Sequence, residues 1–484
     1  MVTTSSADLV VVGAGISALN ALTVASGYLD RGHRIVLVEK RPGPGGMWRD
    51  TYPYVRLHQP HPLFTAGAIQ WQGGHAPSYL AARDEVVDHF AQVVDVVRRR
   101  VVLEERYSWE FVAHEERDGR VLVRARDPDG AAHLIDTARL IKGYGLEIGP
   151  DLPLAVTSER VRSITPTSLD QHLDELRADP APVWIIGGGK TAMDTAHRLV
   201  TQLPGREVHM LAGAGTFFSS RERLFPRGRA RWRPRATPNM INTELARRFD
   251  GTNEDEVRRW LRETIGVSLM PDAQNFLYGL LSRAELRTIA NGLATVVPGY
   301  LVDVRDRGDA AELVLRSGET RTVQAGTWLM NCTGFIRPSK RPYEPYASAS
   351  GNVLTLSTRS QTMLLSSFMG YFMAHMMFAG KLGDTPLYEV DLSALLERAR
   401  SAMPYVAATL GAYNLSLMSD ALPSRTFMQC GLDFDRLSPA PYRLASTVAY
   451  AARHKRDRPH HQRALDTVRE RFDIRCGPLE ALAA

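Results

Sequence analysis

Two stretches of the chain share one pattern: a short run of consecutive apolar residues, a glycine-rich break, and a run with helical spacing. The first is DLVVVGAGISALN at Asp8–Asn20, followed by a second apolar run, RIVLVEK, that reaches Glu39. The other is VWIIGGGKTAMDTA at Val183–Ala196, followed by EVHML at Glu207–Leu211. Short continuous apolar runs mark strands buried on both faces, and their alternation with helices predicts βαβ units around parallel sheets. The expected fold class is α/β, with two Rossmann-like dinucleotide-binding domains, the second inserted in the first, and a C-terminal helical region. The expected boundaries are 1–180 and 325–390 for the first domain, 181–324 for the second, and 391–484 for the helices.

Between the two units the pattern changes. RPGPGGMWRDTYPYVRLHQPHPLF, directly after Lys40, has little periodicity and many Gly, Pro and aromatic residues, which predicts a long functional loop. A helix-like stretch, SYLAARDEVVDHFAQVVDVV, follows, then strands at Val101–Leu103, Ser108–His114, Arg120–Arg126 and Leu134–Gly143. Beyond the second unit, helices are predicted at Thr243–Ile265 and Arg283–Gly292. Strands follow at Tyr300–Val304, Ala311–Leu315 and Thr327–Met330, the last leading into NCTGF. The apolar run Met363–Gly380 is long enough to raise a membrane span. Its Ser366, Ser367, Gly370 and His375, and its lack of aromatic and basic flanks, predict a buried helix instead.

The glycine spacing carries the chemistry. Gly13 and Gly15 permit a tight turn and close approach of a pyrophosphate, and Ala18 lets the helix pack on the strand. Glu39, 21 residues after Ala18, is placed to accept hydrogen bonds from a ribose. Gly187, Gly189 and Ala192 repeat the spacing, with Lys190 and Thr191 opening the helix. The strand after them ends without an acid, while Arg221 and Arg223 follow within a dozen residues. An arginine can pair with a 2′-phosphate, so the second nucleotide is expected to be NADPH.

Composition narrows the remaining classes. Among 484 residues, 44% are hydrophobic and only three are cysteines, with no CxxC, which excludes a disulfide framework and a dithiol pair. A reducing compartment, the cytoplasm, is the expectation, as the N-terminus carries no secretion pattern. No HExxH, GxSxG or Cys/His cluster points to a metal or a protein nucleophile. The formal charge of +6 is local: RERLFPRGRARWRPR at Arg221–Arg235 holds seven Arg and one Glu. No nucleic-acid module accompanies it. Arg227, Arg229, Arg231, Arg233 and Arg235 alternate, so an extended segment would present them on one side. That strip is either a solvated loop or a docking site for an acidic partner or carrier protein.

The order GxGxxA, Glu39, GGMW at Gly45–Trp48, YPYVRLHQP at Tyr52–Pro60, PSYLAARDEVVDHFAQVVD, GGGKTA and CTGF resembles class B flavin monooxygenases. These include the flavin-containing and plant auxin-forming monooxygenases and, more distantly, N-hydroxylases and Baeyer–Villiger enzymes. The likeness runs from about Leu9 to Gly380. It implies FAD held by Gly13, Gly15, Ala18, Glu39 and Lys40, with Gly46, Met47 and Trp48 along the cofactor and Val101 meeting the adenine through its backbone. Arg56, His58 and Gln59 would face the isoalloxazine and act in catalysis. Thr333 and Gly334 would mark the return to the flavin domain, and Gln361 would lie near the flavin. NADPH would occupy Gly187, Gly189, Lys190, Thr191 and Ala192.

The implied activity is transfer of one oxygen atom from O2, through a flavin C4a-(hydro)peroxide, to a small organic substrate by N-hydroxylation, S-oxidation or carbonyl oxidation. His58, titrating near neutral pH, would tune peroxide protonation. The chain departs from the family at Lys190, where a small polar residue is usual, at Lys142-Gly143, and before the second glycine motif, where Arg162–Pro166 lacks the expected His. A non-oxygenating NAD(P)H-linked flavin oxidoreductase and a noncatalytic FAD-binding protein stay open at this point.

Overall fold

The first apolar run forms β1 (Thr3–Val12), the glycine break opens α1 (Ile16–Tyr28), and the next run is β2 (Arg34–Glu39). The computed structural model describes residues 3–149, 151–233, 236–334 and 336–479. Helix α2 (Arg83–Arg98) starts with the Glu85 carboxylate accepting the Ala82 N–H at 2.7 Å. It leads into β3 (Val102–Tyr107), then β4 (Glu110–Arg117), β5 (Arg120–Arg126) and the long β6 (Ala132–Gly145). These make a sheet in the order β3-β2-β1-β6-β5-β4. Its first four strands are parallel; β4 and β5 extend it as an antiparallel edge.

A second sheet begins with β7 (Arg162–Ile164), passes α3 (Leu173–Ala178) and continues through β8 (Val183–Ile186), α4 (Lys190–Gln202) and β9 (Val208–Leu211). A helical excursion follows: β10 (Phe218–Ser220), α5 (Arg221–Leu224), α6 (Pro238–Arg248), α7 (Glu254–Ile265), β11 (Gly266–Val267), β12 (Leu280–Leu281) and α8 (Arg283–Gly292). The chain rejoins the sheet at β13 (Thr295–Val297), makes a three-stranded meander of β14 (Leu301–Arg307), β15 (Ala310–Leu315) and β16 (Thr320–Val323), and enters β17 (Trp328–Asn331). The order is β13-β9-β8-β17-β7. Because β7 and β17 both belong to this sheet, the second unit reaches back to Arg162 and on to Asn331, beyond the expected 181–324.

The return to the first sheet is β18 (Val353–Ser357), parallel to β6. Helix α9 (Ser366–Phe378) then covers α1; both are apolar nearly all round because each has neighbours on both sides. No helix of the described residues is long and apolar enough to cross a membrane. Helix α9 carries a half-buried His375, whose Nδ1 lies 3.0 Å from the hydroxyl of the exposed Tyr28, at the edge of the core rather than inside it. The C-terminal region comprises β19 (Tyr388–Val390), α10 (Leu392–Arg398), α11 (Met403–Ala421), α12 (Ser424–Met428), the long α13 (Ala440–Phe472) and β20 (Cys476–Pro478), which pairs with β19. Leu410, Leu465 and Val468 share a core with Leu245, Phe249 and Leu261 of α6 and α7. Met418 and Leu422 join the core under α1, so these helices bind both units together.

Two local expectations change. The helix expected over Thr243–Ile265 is two helices, α6 and α7, broken where Gly251 takes φ +95°. The alternating arginines do not form an extended strip: Gly228–Trp232 is a 3₁₀ turn, which sends Arg229 and Arg231 in different directions. Arg227 donates to Ser78 O and Arg231 lies over the Trp232 ring, so the described arginines are not presented along one side of an extended segment. Arg235 lies outside the described residues.

Candidate functional site

Each sheet presents a glycine loop at the carboxyl end of its central strand, and the two are built alike. Gly13 takes φ +97°, and a Cβ there would sit 2.5 Å from Gly143 O at the end of β6. Gly187 takes φ +129°, and its Cβ would sit 2.6 Å from Cys332 O at the end of β17. Only glycine fits either place, for conformation and space together. Ala18 is small because a Cβ on Gly143 would already lie 2.6 Å from its own Cβ.

The first loop leaves a nucleotide cradle. Gly15 caps α1 without any side-chain hydrogen bond, Gly46 backs it from the 3₁₀ turn Gly46–Asp50, and Ser17 Oγ in the first helical turn is buried with no partner. Uncapped N–H groups and an orphan hydroxyl at a helix N-terminus suit a phosphate. Glu39, 4% exposed, accepts the Ala14 N–H at 2.6 Å on one oxygen and the Arg41 N–H at 2.8 Å on the other. A carboxylate has about four acceptor sites, so two stay open for ribose hydroxyls. Lys40 is exposed beside it; Met47 and Trp48 are half-buried, Trp48 edge-on to Phe64 at 5.6 Å. These residues fit the adenosine and pyrophosphate half of FAD.

Val101 does not join them. The parallel register sets Val102 against Arg34 and Tyr107 against Glu39, which places Val101 at the opposite end of the sheet. Nucleotides lie at carboxyl ends of parallel strands, so Tyr107 and Ser108 are the residues level with Glu39. Thr333 and Gly334 are also relocated. They follow β17 of the second sheet, where they line a cavity of about 280 Å³ with Tyr52 and Thr191. The Thr333 hydroxyl donates to Asn331 Oδ1 at 2.7 Å.

The second cradle is open at Gly189, which caps α4 with no side-chain hydrogen bond; a Cβ there would meet nothing within 4 Å. Ala192 is buried behind it, and Lys190 turns back along the helix to pair with Asp194. The arginines expected at a 2′-phosphate are engaged elsewhere. Arg223 donates to the carbonyls of Glu263 and Thr264 at the end of α7. Arg221 is buried, with Nε on His58 O at 2.8 Å and Nη1 on Glu285 Oε2 at 2.9 Å. Past the end of β9, Gly213 instead abuts the Tyr300 ring, over which the exposed Arg316 guanidinium stacks at 4.8 Å. No local sequence signal joins Arg316 to β9; only the return of the chain through β13 does.

The loop between the units ties them together. Tyr52 Oη donates to Asp194 Oδ2 at 2.8 Å, and Tyr54 Oη lies 2.9 Å from Thr195 Oγ1, both on α4. His58 Nδ1 accepts the Leu280 N–H at 2.9 Å, which leaves its proton on Nε2. Burial, reinforced by the Lys190 and Arg221 charges, holds the His58 pKa down at about 3. The expected titration near neutrality is therefore corrected: His58 is neutral throughout that range. Arg56 is exposed and donates to Leu80 O at 3.0 Å. Gln59 Oε1 is buried without a partner, as are Ser360 Oγ and Thr362 Oγ1. Gln361 between them is closed, its amide donating to Met363 O at 2.7 Å, so the open polar atoms there are its neighbours.

Residues 11–81 match a family model described as an NAD(P)-binding Rossmann-like domain. No curated protein sequence matches the chain. Among solved structures, the flavin-containing monooxygenase from Stenotrophomonas maltophilia is similar at 16% identity and a TM-score of 0.46, over 78% of this chain and 99% of that one. The ornithine N-hydroxylase of Kutzneria sp. 744, a structure with reduced FAD, NADP+ and L-ornithine, is similar at 15% identity and 0.48, over 78% and 99%. The bacillithiol disulfide reductase from Bacillus cereus is similar at 11% and 0.44, over 78% and 100%. Identities this low leave the chemistry of each match with that protein.

Proposed function

We propose that this chain is an FAD- and NADPH-dependent monooxygenase that places one oxygen atom of O2 on a small organic substrate, at an amine, a sulfide or a carbonyl. The reading is carried by one observation: two glycine loops, each opening an uncapped helix at the carboxyl end of parallel strands, joined by a partly buried loop whose tyrosines and histidine bond across the gap. FAD, when bound, would supply hydride acceptance and the reaction with O2.

The chain's own contribution is binding, orientation and exclusion of water. The α1 N-terminus and Ser17 would hold the FAD pyrophosphate, and Glu39 the ribose. The α4 N-terminus at Gly189 would hold the second pyrophosphate, with Tyr300 beside its adenine and Arg316 as the cation for a 2′-phosphate. His58, locked by Leu280, offers one fixed N–H at Nε2 and transfers no proton near neutral pH. Electron transfer through a dithiol has no support here, since Cys332, Cys430 and Cys476 are buried and unpaired, and burial pushes the first two thiols up to about 12.

The test is direct. Purified protein, loaded with FAD and reduced anaerobically by NADPH, is exposed to isotopically labelled O2 with candidate amines, sulfides and ketones. The reading requires label in an organic product. Hydrogen peroxide as the sole product with every candidate sends it to the non-oxygenating alternative.

A further inference from the structure

The first half of α13 is turned inside out. Its polar groups face the protein: Ser446 Oγ lies 3.3 Å from Thr237 Oγ1, Tyr450 Oη 2.9 Å from Ser419 Oγ, and His454 Nδ1 2.9 Å from Ser416 Oγ. Its apolar residues face solvent. Pro441, Leu444, Ala445, Val448, Ala451 and Ala452 are all exposed, at the spacing that puts them on one side of a helix. Leu444 is 65% and Val448 58% exposed, so neither is tucked against a neighbour. The stripe runs for about 17 Å, three helical turns. A core-facing helix arranges its faces the other way, and a continuous apolar row left in water marks a contact surface.

Charge narrows what that surface fits. Between Ala440 and Arg456 the chain carries Arg443, Arg453, Lys455 and Arg456 and no acid. The start of the helix is tied to the Gly228–Trp232 turn, where Tyr442 Oη donates to Trp232 O at 2.6 Å. Trp232 is 53% exposed there, and Arg229, Arg231 and Arg233 are exposed with it. Among the described residues, the nearby carboxylates are matched to the helix and not to the turn. Asp433 lies 3.8 Å from Arg443, Asp420 2.9 Å from Lys455 and Asp457 4.0 Å from Arg456.

We propose that this surface docks an acidic protein, which lays an amphipathic helix along Leu444 and Val448 and sets its Asp and Glu side chains against Arg229, Arg231 and Arg233. The surface does not depend on the proposed oxygenation. Ala445, Ala451 and Ala452 let a partner helix approach closely, and Leu444 and Val448 supply the side chains that pack between its ridges. The same alanines argue against a lipid surface, since each buries little apolar area and interfacial helices rely on bulky residues. A second copy is opposed by charge. Antiparallel pairing of two stripes sets the arginine turn of one against Lys455 and Arg456 of the other, and parallel pairing sets each turn against its own copy.

The probe is a fluorescein-labelled, stapled helical peptide of about 18 residues, with Leu and Ala on one face and Glu along both borders. Its counterpart carries Lys for every Glu. Fluorescence anisotropy with the full chain should show the acidic peptide binding roughly tenfold or more tighter than the basic one, and weakening about tenfold from roughly 50 to roughly 300 mM salt. Leu444→Ser together with Val448→Ser, both at exposed positions without folding risk, should weaken it about fivefold or more. Arg229→Ser, Arg231→Ser and Arg233→Ser together should weaken it as much and remove most of the salt dependence. Equal binding of the two peptides, no binding of either at about 1 mM, or an affinity unchanged in both variants overturns the surface. Pelleting of the chain with vesicles of phosphatidylcholine and phosphatidylserine, abolished by Leu444→Ser with Val448→Ser, overturns it in favour of a membrane. A dimer in sedimentation that the same two changes dissociate overturns it in favour of self-association.

Discussion

Gly189→Ala separates the second nucleotide site from the stability of the fold. At φ −83° and ψ −171° the residue has an extended backbone that alanine adopts freely, and its Cβ would meet no atom within 4 Å. The free protein should be unharmed, or stabilised by about 0.4–1 kcal/mol through a less flexible unfolded chain. The added methyl stands at the uncapped start of α4, where a pyrophosphate would approach. Displacing one charge-assisted hydrogen bond there costs about 1.5–3 kcal/mol, a roughly 10- to 150-fold rise in Kd for NADPH. Gly187→Ala is the contrast: φ +129° and a Cβ 2.6 Å from Cys332 O make that change destabilising before any ligand is added. Urea unfolding of both variants, beside NADPH titration of flavin reduction under anaerobic conditions, checks the pair. A Gly189→Ala protein with unchanged stability and unchanged NADPH affinity would refute the placement of the nucleotide.

Arg316→Ala should weaken NADPH by about 1.5–3 kcal/mol and leave NADH nearly untouched, whereas Arg223→Ala should change neither; equal losses of both nucleotides in Arg316→Ala would remove it from the 2′-phosphate. His58 should give no ionisation in the pH profile of flavin reduction between about pH 5 and 8. Its folded pKa of about 3 lies below the usual 6.5, so the unfolded chain binds this proton first and stability falls as pH drops from about 6.5 toward 3. His58→Gln, which keeps an acceptor for Leu280, should flatten the acid limb of unfolding free energy by about 1.4 kcal/mol per pH unit; an unchanged slope would show that His58 protonates in the folded state. Gly15→Val should strip FAD, because a branched side chain would stand against Gly46 in the first cradle; retention of FAD would count against that cradle.

What the sequence made legible was local. Both strand–glycine–helix units, Glu39 at the end of its strand, and α8 at Arg283–Gly292 follow from contiguous residues whose period and spacing are visible in place. What it hid depended on register or long return paths. Val101 is near Glu39 only if β3 is slid along β2, and six residues of parallel register move the adenine end to Tyr107. Arg221 is close enough in sequence to suggest a phosphate contact, yet β10 carries it under the loop to His58 instead. Arg316 sits more than a hundred residues after β9 and reaches it only through β13 and the meander. Alternation of arginines predicted an extended strip, but Gly228 at φ +55° turns the segment into a 3₁₀ coil.

The central claim is that two dinucleotides meet across the Tyr52–Gln59 loop to activate oxygen. Anaerobic reduction of the FAD-loaded protein by NADPH, followed by rapid mixing with O2, tests it in one experiment. The account predicts that NADPH bleaches the flavin faster than NADH does, and that oxygen then produces a transient near-ultraviolet absorption before the oxidised spectrum returns, prolonged while NADP+ stays bound. Failure of NADPH to reduce the flavin, or direct reoxidation with stoichiometric hydrogen peroxide and no transient even with NADP+ present, would contradict it.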